Sequence, residues 1–318
     1  MSSEKPSCIV DGDGQLVAVI LPKILNKSSA NKIFEEVMSV PKKHLWKSGG
    51  AEKKGWDRVA SYIDRPGEVA GSVLWVCYWK AVGHPNSDVV PSGDQLWSAE
   101  HYKNSQNVIA NIDVLNQSAT SALKFFAPDS YKGHTKLIDT IHSNPQYKWA
   151  EAMAVNDHCV LSGQGISFNR QTPQHTDPLV PPGEWTLISS VGQHTVGGDF
   201  VLPTLGVVIP FLPPTHIWTR GGEAEHYIHP FSGGQRISIT HFTHSTVWDH
   251  FSIPFPCSTP YDDSKHHLME LIEQMKAQAT ADGKDKETSH IARADLEKKK
   301  EERKRKQSFQ GSRSNPLM

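Results

Sequence analysis

The run TPQHTDPLVPPGEW, residues 172–185, sets His175 and Asp177 two positions apart among four prolines. Imidazole and carboxylate are both good ligands for a divalent cation. On an extended strand, residues i and i+2 project from the same face, so one strand can present both groups to one ion. A third ligand is available in EAEHYIHPFSGGQRISI, where His226 lies 49 residues beyond Asp177, far enough for several strands to intervene. His229 competes with it, but three residues further on it falls on the opposite strand face, and the spacing to Arg236 favours His226. Three protein ligands leave three positions open on an octahedral ion; a closed structural site more often uses four Cys or His ligands.

Arg236 follows His226 by ten residues, and Ser238 comes two residues later. A guanidinium binds a carboxylate through two parallel hydrogen bonds, so an Arg here suits a co-substrate with a distal carboxylate. A Ser hydroxyl on the same strand face adds a second contact. In RISITHFTH, Arg236, Ser238, Thr240, Phe242 and His244 occupy alternate positions. As one strand, the segment turns all five toward the metal and packs Ile237 and Ile239 into another layer. Asn169 and Arg170, in GISFNRQTPQHTD, form a polar pair placed to help bind co-substrate carboxylates or substrate. Two histidines and one carboxylate make the facial triad of non-haem Fe(II) oxygenases, whose open positions accept a bidentate 2-oxo acid and O2.

The surrounding elements must position these groups. Residues 9–22 read as a strand, a Gly-containing turn and a second strand. NKSSANKIFEEVMSV reads as a helix with Ser28 or Ser29 as N-cap. Residues 72–82, SVLWVCYWKAV, read as a buried strand, and 83–96 as a loop. Apolar spacing is helical over 104–126 and again over 129–145. From 159 to 253, β-branched segments alternate with Gly/Pro turns every 10–15 residues, the pattern of a sandwich or barrel. Residues 266–279 read as a helix, and the polar, charged chain beyond about 280 as disordered. The fold expected is helices packed outside an antiparallel β-structure that carries the ligands.

His-x-Asp, a later His, and Arg-x-Ser ten residues beyond it resemble the signature of the 2-oxoglutarate/Fe(II) dioxygenases, over 159–253 or roughly a third of the chain. The resemblance implies an α+β fold with a double-stranded β-helix (jelly roll) core flanked by helices. It implies Fe(II) held by His175, Asp177 and His226, and 2-oxoglutarate held by Arg236 and Ser238, with Asn169 and Arg170 nearby. O2 is then the co-substrate, and succinate and CO2 are released. Within the family, the chain looks like the TET/JBP branch of nucleic-acid base oxygenases, in a compact fungal form. In that branch the residue six after the Arg is an aromatic packing near the flipped base, and the residue eight after is a His touching the base. Those positions are Phe242 and His244 here, and GGDFVLPTLG is also similar to compact members. The chain departs from the branch in having Val180 where a base-contacting Asn follows the metal-binding Asp, and in lacking a Cys-rich zinc region.

The expectation is one dioxygenase domain over 1–280, with an N-terminal α/β part (about 1–150), a β-helix core (about 151–255) and a C-terminal helix (about 264–280), followed by a disordered tail, 281–318. Its substrate is the methyl group of 5-methylcytosine in methylated duplex DNA, with the base flipped out. The alternatives are N6-methyladenine demethylation, hydroxylation of a protein or small molecule, and a DNA-binding module that no longer turns over. The net charge of −1 points to no partner by itself. Basic residues concentrate at 42–58, interleaved with Trp46 and Trp56, and at 298–306. The first run could track a phosphate backbone, and the second suggests nuclear localisation, with the cytoplasm as the alternative. No apolar run is long enough to span a membrane, no obligate protein partner is evident, and four scattered cysteines without a CxxC pair point to a reducing compartment. Among the 17 histidines, His194, His216, His241 and His250 read most simply as surface residues or neighbours of the ligands.

Overall fold

The N-terminal apolar runs form the expected hairpin. β1 (Ser7–Val10) and β2 (Leu16–Pro22) pair antiparallel across a turn in which Asp11 Oδ1 accepts hydrogen bonds from the N–H groups of Asp13 and Gln15. Next comes α1 (Lys27–Met38), which buries Ile33, Phe34 and Val37. Its N-cap is Asn26 rather than a serine: from an extended backbone, the Asn26 side chain accepts from Ser29 N–H at 2.9 Å. The computed structural model describes residues 5–46, 61–84 and 86–256. Most of the basic-aromatic segment, the expected 264–280 helix and the charged tail lie outside the described residues. All the described residues belong to one compact unit, Met1–Lys265.

After β3 (Ser61–Tyr62) and β4 (Gly71–Val76) come α2 (Gly93–Leu96), α3 (Ala99–Asn111), α4 (Asp113–Phe126), α5 (Pro128–Ser143) and α6 (Trp149–Ala154). The strand expected over 72–82 therefore ends at Val76, and α2 interrupts the expected loop. The helical spacing over 104–126 resolves into two helices that break at Ile112, φ −96° and ψ 9°. Asp113 opens the second: its carboxylate accepts from Gln117 and pairs with His158, and an acid in the first turn favours a helix start.

The strands β5 (Gly163–Phe168), β6 (Arg170–Gln171), β7 (Thr186–Ser190), β8 (Val196–Gly197), β9 (Phe200–Leu202), β10 (Val207–Ile209), β11 (Thr215–Thr219), β12 (Tyr227–Ile228), β13 (Phe231–Ser232) and β14 (Ile237–Phe242) follow, closed by α7 (Ser245–His250). Seven strands form one antiparallel sheet in the order β1-β2-β11-β7-β14-β5-β4, so the N-terminal part supplies three strands of it. A three-stranded sheet, β10-β9-β12, lies against one face through Ile20, Ile188, Phe200, Ile217 and Ile228. Helices α1 and α3 cover the other face, where Val37, Val108 and Ile109 meet Ile166, Phe168, Ile237 and Ile239. Among the described residues, no helix is long and apolar enough to cross a membrane.

Three histidines expected at the surface, or beside the ligands, are instead buried: His194, His216 and His241. His241 projects from β14 to the helix layer, where its Nε2 meets Asn116 Oδ1 at 3.0 Å. Burial lowers the His194 and His216 pKa values to about 4 and that of His241 to about 3. Each imidazole stays neutral in the fold at pH values where the unfolded chain, with a His pKa of about 6.5, takes up a proton. The unfolded state then binds more protons, so this stability is present above about pH 6.5 and lost as the pH falls toward 4. Asp157, raised to about 6 by burial, acts in the opposite sense: its contribution is present below the unfolded carboxylate value and lost as pH rises through about 6. Urea midpoints should fall between pH 6.5 and 4. His241→Gln, which can keep a bond to Asn116, should flatten that slope by up to about 1.4 kcal/mol per pH unit.

Candidate metal and co-substrate site

His175 and His226 face each other across a single antiparallel bridge, outside any longer strand. Each donates its backbone N–H to the other's carbonyl, at 3.0 and 2.9 Å. Each also places Nδ1 against the carbonyl two residues earlier, His175 on Pro173 at 2.8 Å and His226 on Ala224 at 2.9 Å. Those bonds put the imidazole proton on Nδ1 and leave the Nε2 lone pair of each ring for a metal. Asp177 completes the group: its carboxylate oxygens lie 3.6 Å from His175 Nε2 and 3.9 Å from His226 Nε2. One ligand atom from each of the three falls within 4.8 Å of the others. His229 is not part of it; its Nδ1 pairs with Asp199 at 3.3 Å.

The backbone makes room for this approach. Asp177 N–H donates to Gly221 O at 2.6 Å, and a Cβ on Gly221 would come within 2.5 Å of Asp177 Oδ2. A Cβ on Gly222 would meet Val180 O at 2.4 Å. The pair Gly221-Gly222 is thus required by the 177–180 loop packed on it, a role that the sequence signalled only as two adjacent glycines shortly before His226.

The three ligands line a cavity of about 230 Å³. Arg236, Ser238, Thr240, Phe242 and His244 all reach it, as their alternation requires, although β14 stops at Phe242 and His244 caps α7. Arg170 lines it too. Arg236 is buried, and burial together with the neighbouring Arg170 lowers its pKa to about 10. Its NH1 donates to Arg170 O at 3.2 Å, and its guanidinium stands 5.4 Å over the Phe231 ring. The Nε atoms of Arg170 and Arg236 are buried without hydrogen-bond partners. The Phe242 and His244 rings stack at 4.7 Å, and Trp79 packs on His244 at 4.7 Å.

NgTET1, solved in complex with 5mC DNA, superposes with a TM-score of 0.53 at 15% identity, over 84% of this chain and 85% of that one. The two chains share a fold. It is the jelly roll expected from the resemblance to the 2-oxoglutarate/Fe(II) dioxygenases. Lower overlaps occur with an oxidoreductase of the 2OG-Fe(II) oxygenase family from Burkholderia pseudomallei (TM-score 0.35, 12% identity, 76% and 88% covered). The viral collagen prolyl hydroxylase vCPH from Paramecium Bursaria Chlorella virus-1 gives a TM-score of 0.32 at 12% identity, with 76% and 94% covered. No protein-family profile and no curated protein matches the chain.

The jelly roll brings together every expected site residue but one. Asn169 is buried, takes a positive φ of 47°, and does not line the cavity. Its side chain is occupied elsewhere. Oδ1 accepts from Arg236 N–H at 2.8 Å and Gln235 Nε2 at 3.1 Å, and Nδ2 donates to Glu68. Its place is to fix the backbone that carries Arg236, not to touch a carboxylate. The donor set that remains fits the implied groups: two imidazole nitrogens and a carboxylate for Fe(II), and buried, incompletely bonded guanidinium groups for an anionic 2-oxo acid. Anaerobic titration of Fe(II) or Mn(II) should show affinity falling at least about 100-fold in Asp177→Ala and His226→Ala and holding in His229→Ala. Unchanged affinity in the first two would remove the assignment.

Proposed function

We propose that the protein is an Fe(II)- and 2-oxoglutarate-dependent dioxygenase that oxidises the methyl group of 5-methylcytosine in DNA. One observation carries this reading: His175, Asp177 and His226 converge in a cavity that is also lined by Arg236 and Ser238 and by the stacked pair Phe242 and His244. When bound, Fe(II) supplies the oxidative chemistry that couples decarboxylation of 2-oxoglutarate to hydroxylation of a C–H bond. The balance is one methyl group, O2 and 2-oxoglutarate converted to one hydroxymethyl group, succinate and CO2.

The chain's residues bind and orient. Arg236, held in a dry setting, receives the distal carboxylate as a two-pronged donor, and Ser238 adds a hydroxyl from the same strand face. Arg170 brings a second positive charge to the cavity wall. Phe242 offers an aromatic edge, and His244, held by Trp79, offers a polar one, a combination suited to a flat ring with hydrogen-bonding edges. The fold likeness to NgTET1, whose structure contains 5mC DNA, supports a methylated nucleobase as that ring. A base inside a duplex cannot reach such a recess, so the base is flipped out. The basic run at 298–306 supports a nuclear setting.

Purified protein with Fe(II), ascorbate and 2-oxoglutarate is incubated with unmodified, 5-methylcytosine and N6-methyladenine duplexes, and the digested nucleosides are quantified by mass spectrometry. Oxidised 5-methylcytosine is the expected product. Loss of N6-methyladenine alone keeps the chemistry and changes the base. Succinate without any DNA product moves the substrate to a protein or a small molecule. In the active system, His244→Ala should lower product per succinate formed by about tenfold or more, the scale of losing a polar contact to substrate. Product and succinate falling together would give His244 a structural part instead.

A further inference from the structure

β5 reads Gly-Gln-Gly-Ile-Ser-Phe, with glycines at 163 and 165 on the same strand face. Glycine weakens a strand interior and commonly marks a close approach by another group. The two glycines have different causes. A Cβ on Gly163 would sit 2.8 Å from both methyl carbons of Val76, so packing across β4 excludes any side chain there. Gly165 meets no such obstacle. Its Cβ would be 3.5 Å from Leu74 Cδ1, 3.9 Å from Phe242 Cε1 and 4.0 Å from Thr240 O, all ordinary contacts. Its backbone is regular strand, with Leu74 on one side and Thr240 on the other, and its φ is not positive. Neither packing nor backbone conformation asks for glycine at 165.

The cavity does. Gly165, Leu74 and Phe242 all line it. A side chain at 165 would project between Leu74 and Phe242 and occupy space that is now open. We propose that Gly165 is a specificity-determining residue: the missing side chain leaves a slot beside Phe242 that admits the flat ring of the substrate. The assignment of that ring as a nucleobase rests on the function proposed above. The slot itself rests on the geometry of β4, β5 and β14.

The test grades the volume at this position. Product per succinate on the 5-methylcytosine duplex is measured for Gly165→Ala, Gly165→Val and Gly165→Leu. The first, whose Cβ meets only ordinary contacts, should change coupling by less than about threefold. The second and third, which extend beyond the Cβ into the slot, should lower it by about tenfold and further, within the roughly 10–200-fold that an added methylene costs in a pocket. Coupling that is unchanged in Gly165→Leu, or equally reduced in all three, overturns the proposal. Gly165→Cys, made together with Cys8→Ser and Cys257→Ser, supplies a second measurement, because the two remaining cysteines, Cys77 and Cys159, are buried. Its thiol should react with a methanethiosulfonate reagent faster than the wild-type background, and the 5-methylcytosine duplex should protect it. If wild-type protein forms succinate but oxidises no duplex, the nucleobase reading fails, and Gly165 is judged on the thiol alone. A reactive thiol then supports the open slot, and an unreactive one overturns it.

Discussion

Both faces of β14 are committed, and the rest of the molecule depends on that commitment. Ile237 and Ile239 are fully buried under α1 and α3, while Ser238, Thr240 and Phe242 turn into the cavity. The strand is held on two sides, with Ser238 opposite Ser167 and Ser190, and Thr240 opposite Gly165 and Ile188. Strand side chains alternate with a period of two, so a slip of one residue would send the isoleucines into the cavity and the polar face into the helices. Burying each isoleucine is worth roughly 1.5–3 kcal/mol. The hydrophobic layer therefore guards the register that the polar layer uses.

The candidate metal ligands are fixed by a different device. His175 and His226 come from segments separated by β7 through β11, yet they share reciprocal backbone bonds and the same Nδ1 contact to a carbonyl two residues back. Phe200 stacks on His226 at 5.3 Å, so the small sheet also sets the ring plane. These restraints exist in the protein itself. A cation entering the site meets ligands already oriented, and little conformational freedom remains to be lost on binding.

Much of this was legible in the sequence because it is periodic or local. The alternation from Arg236 to His244 predicted which side chains reach the cavity, and the spacing around His175, Asp177 and His226 predicted that these three side chains converge. The N-terminal hairpin and the helical segments followed from turn residues and apolar spacing. What escaped depends on partners distant in the chain. Asn169 looked like a ligand-binding residue because it is polar and near the motif, and only the fold shows its oxygen spent on Arg236 N–H. His216 and His241 read as surface residues or neighbours of the ligands because nothing local announces that Ser118 and Asn116 of α4 will meet them. Gly163 and Gly165 are indistinguishable as letters, and the difference between them lies in what stands opposite on β4 and β14.

The charge in the cavity links these observations. Among the described residues, Arg236 has no carboxylate in an ion pair with it, while Arg65 nearby pairs with Glu68 at 3.5 Å. A buried cation without a counter-charge is costly, by several kcal/mol for an ion removed from water. The fold tolerates Arg236 by surrounding it with weaker partners: the Arg170 carbonyl, the face of Phe231, and a backbone pinned by Asn169. Arg65 stands over that same ring at 5.0 Å, so two guanidinium groups pack on Phe231. These partners orient the guanidinium without neutralising it. In the function proposed above, a dicarboxylate supplies the missing charge, and the desolvation already incurred in folding makes that contact stronger than it would be in water. The same burial that lowers the Arg236 pKa leaves an unneutralised guanidinium at the cavity wall.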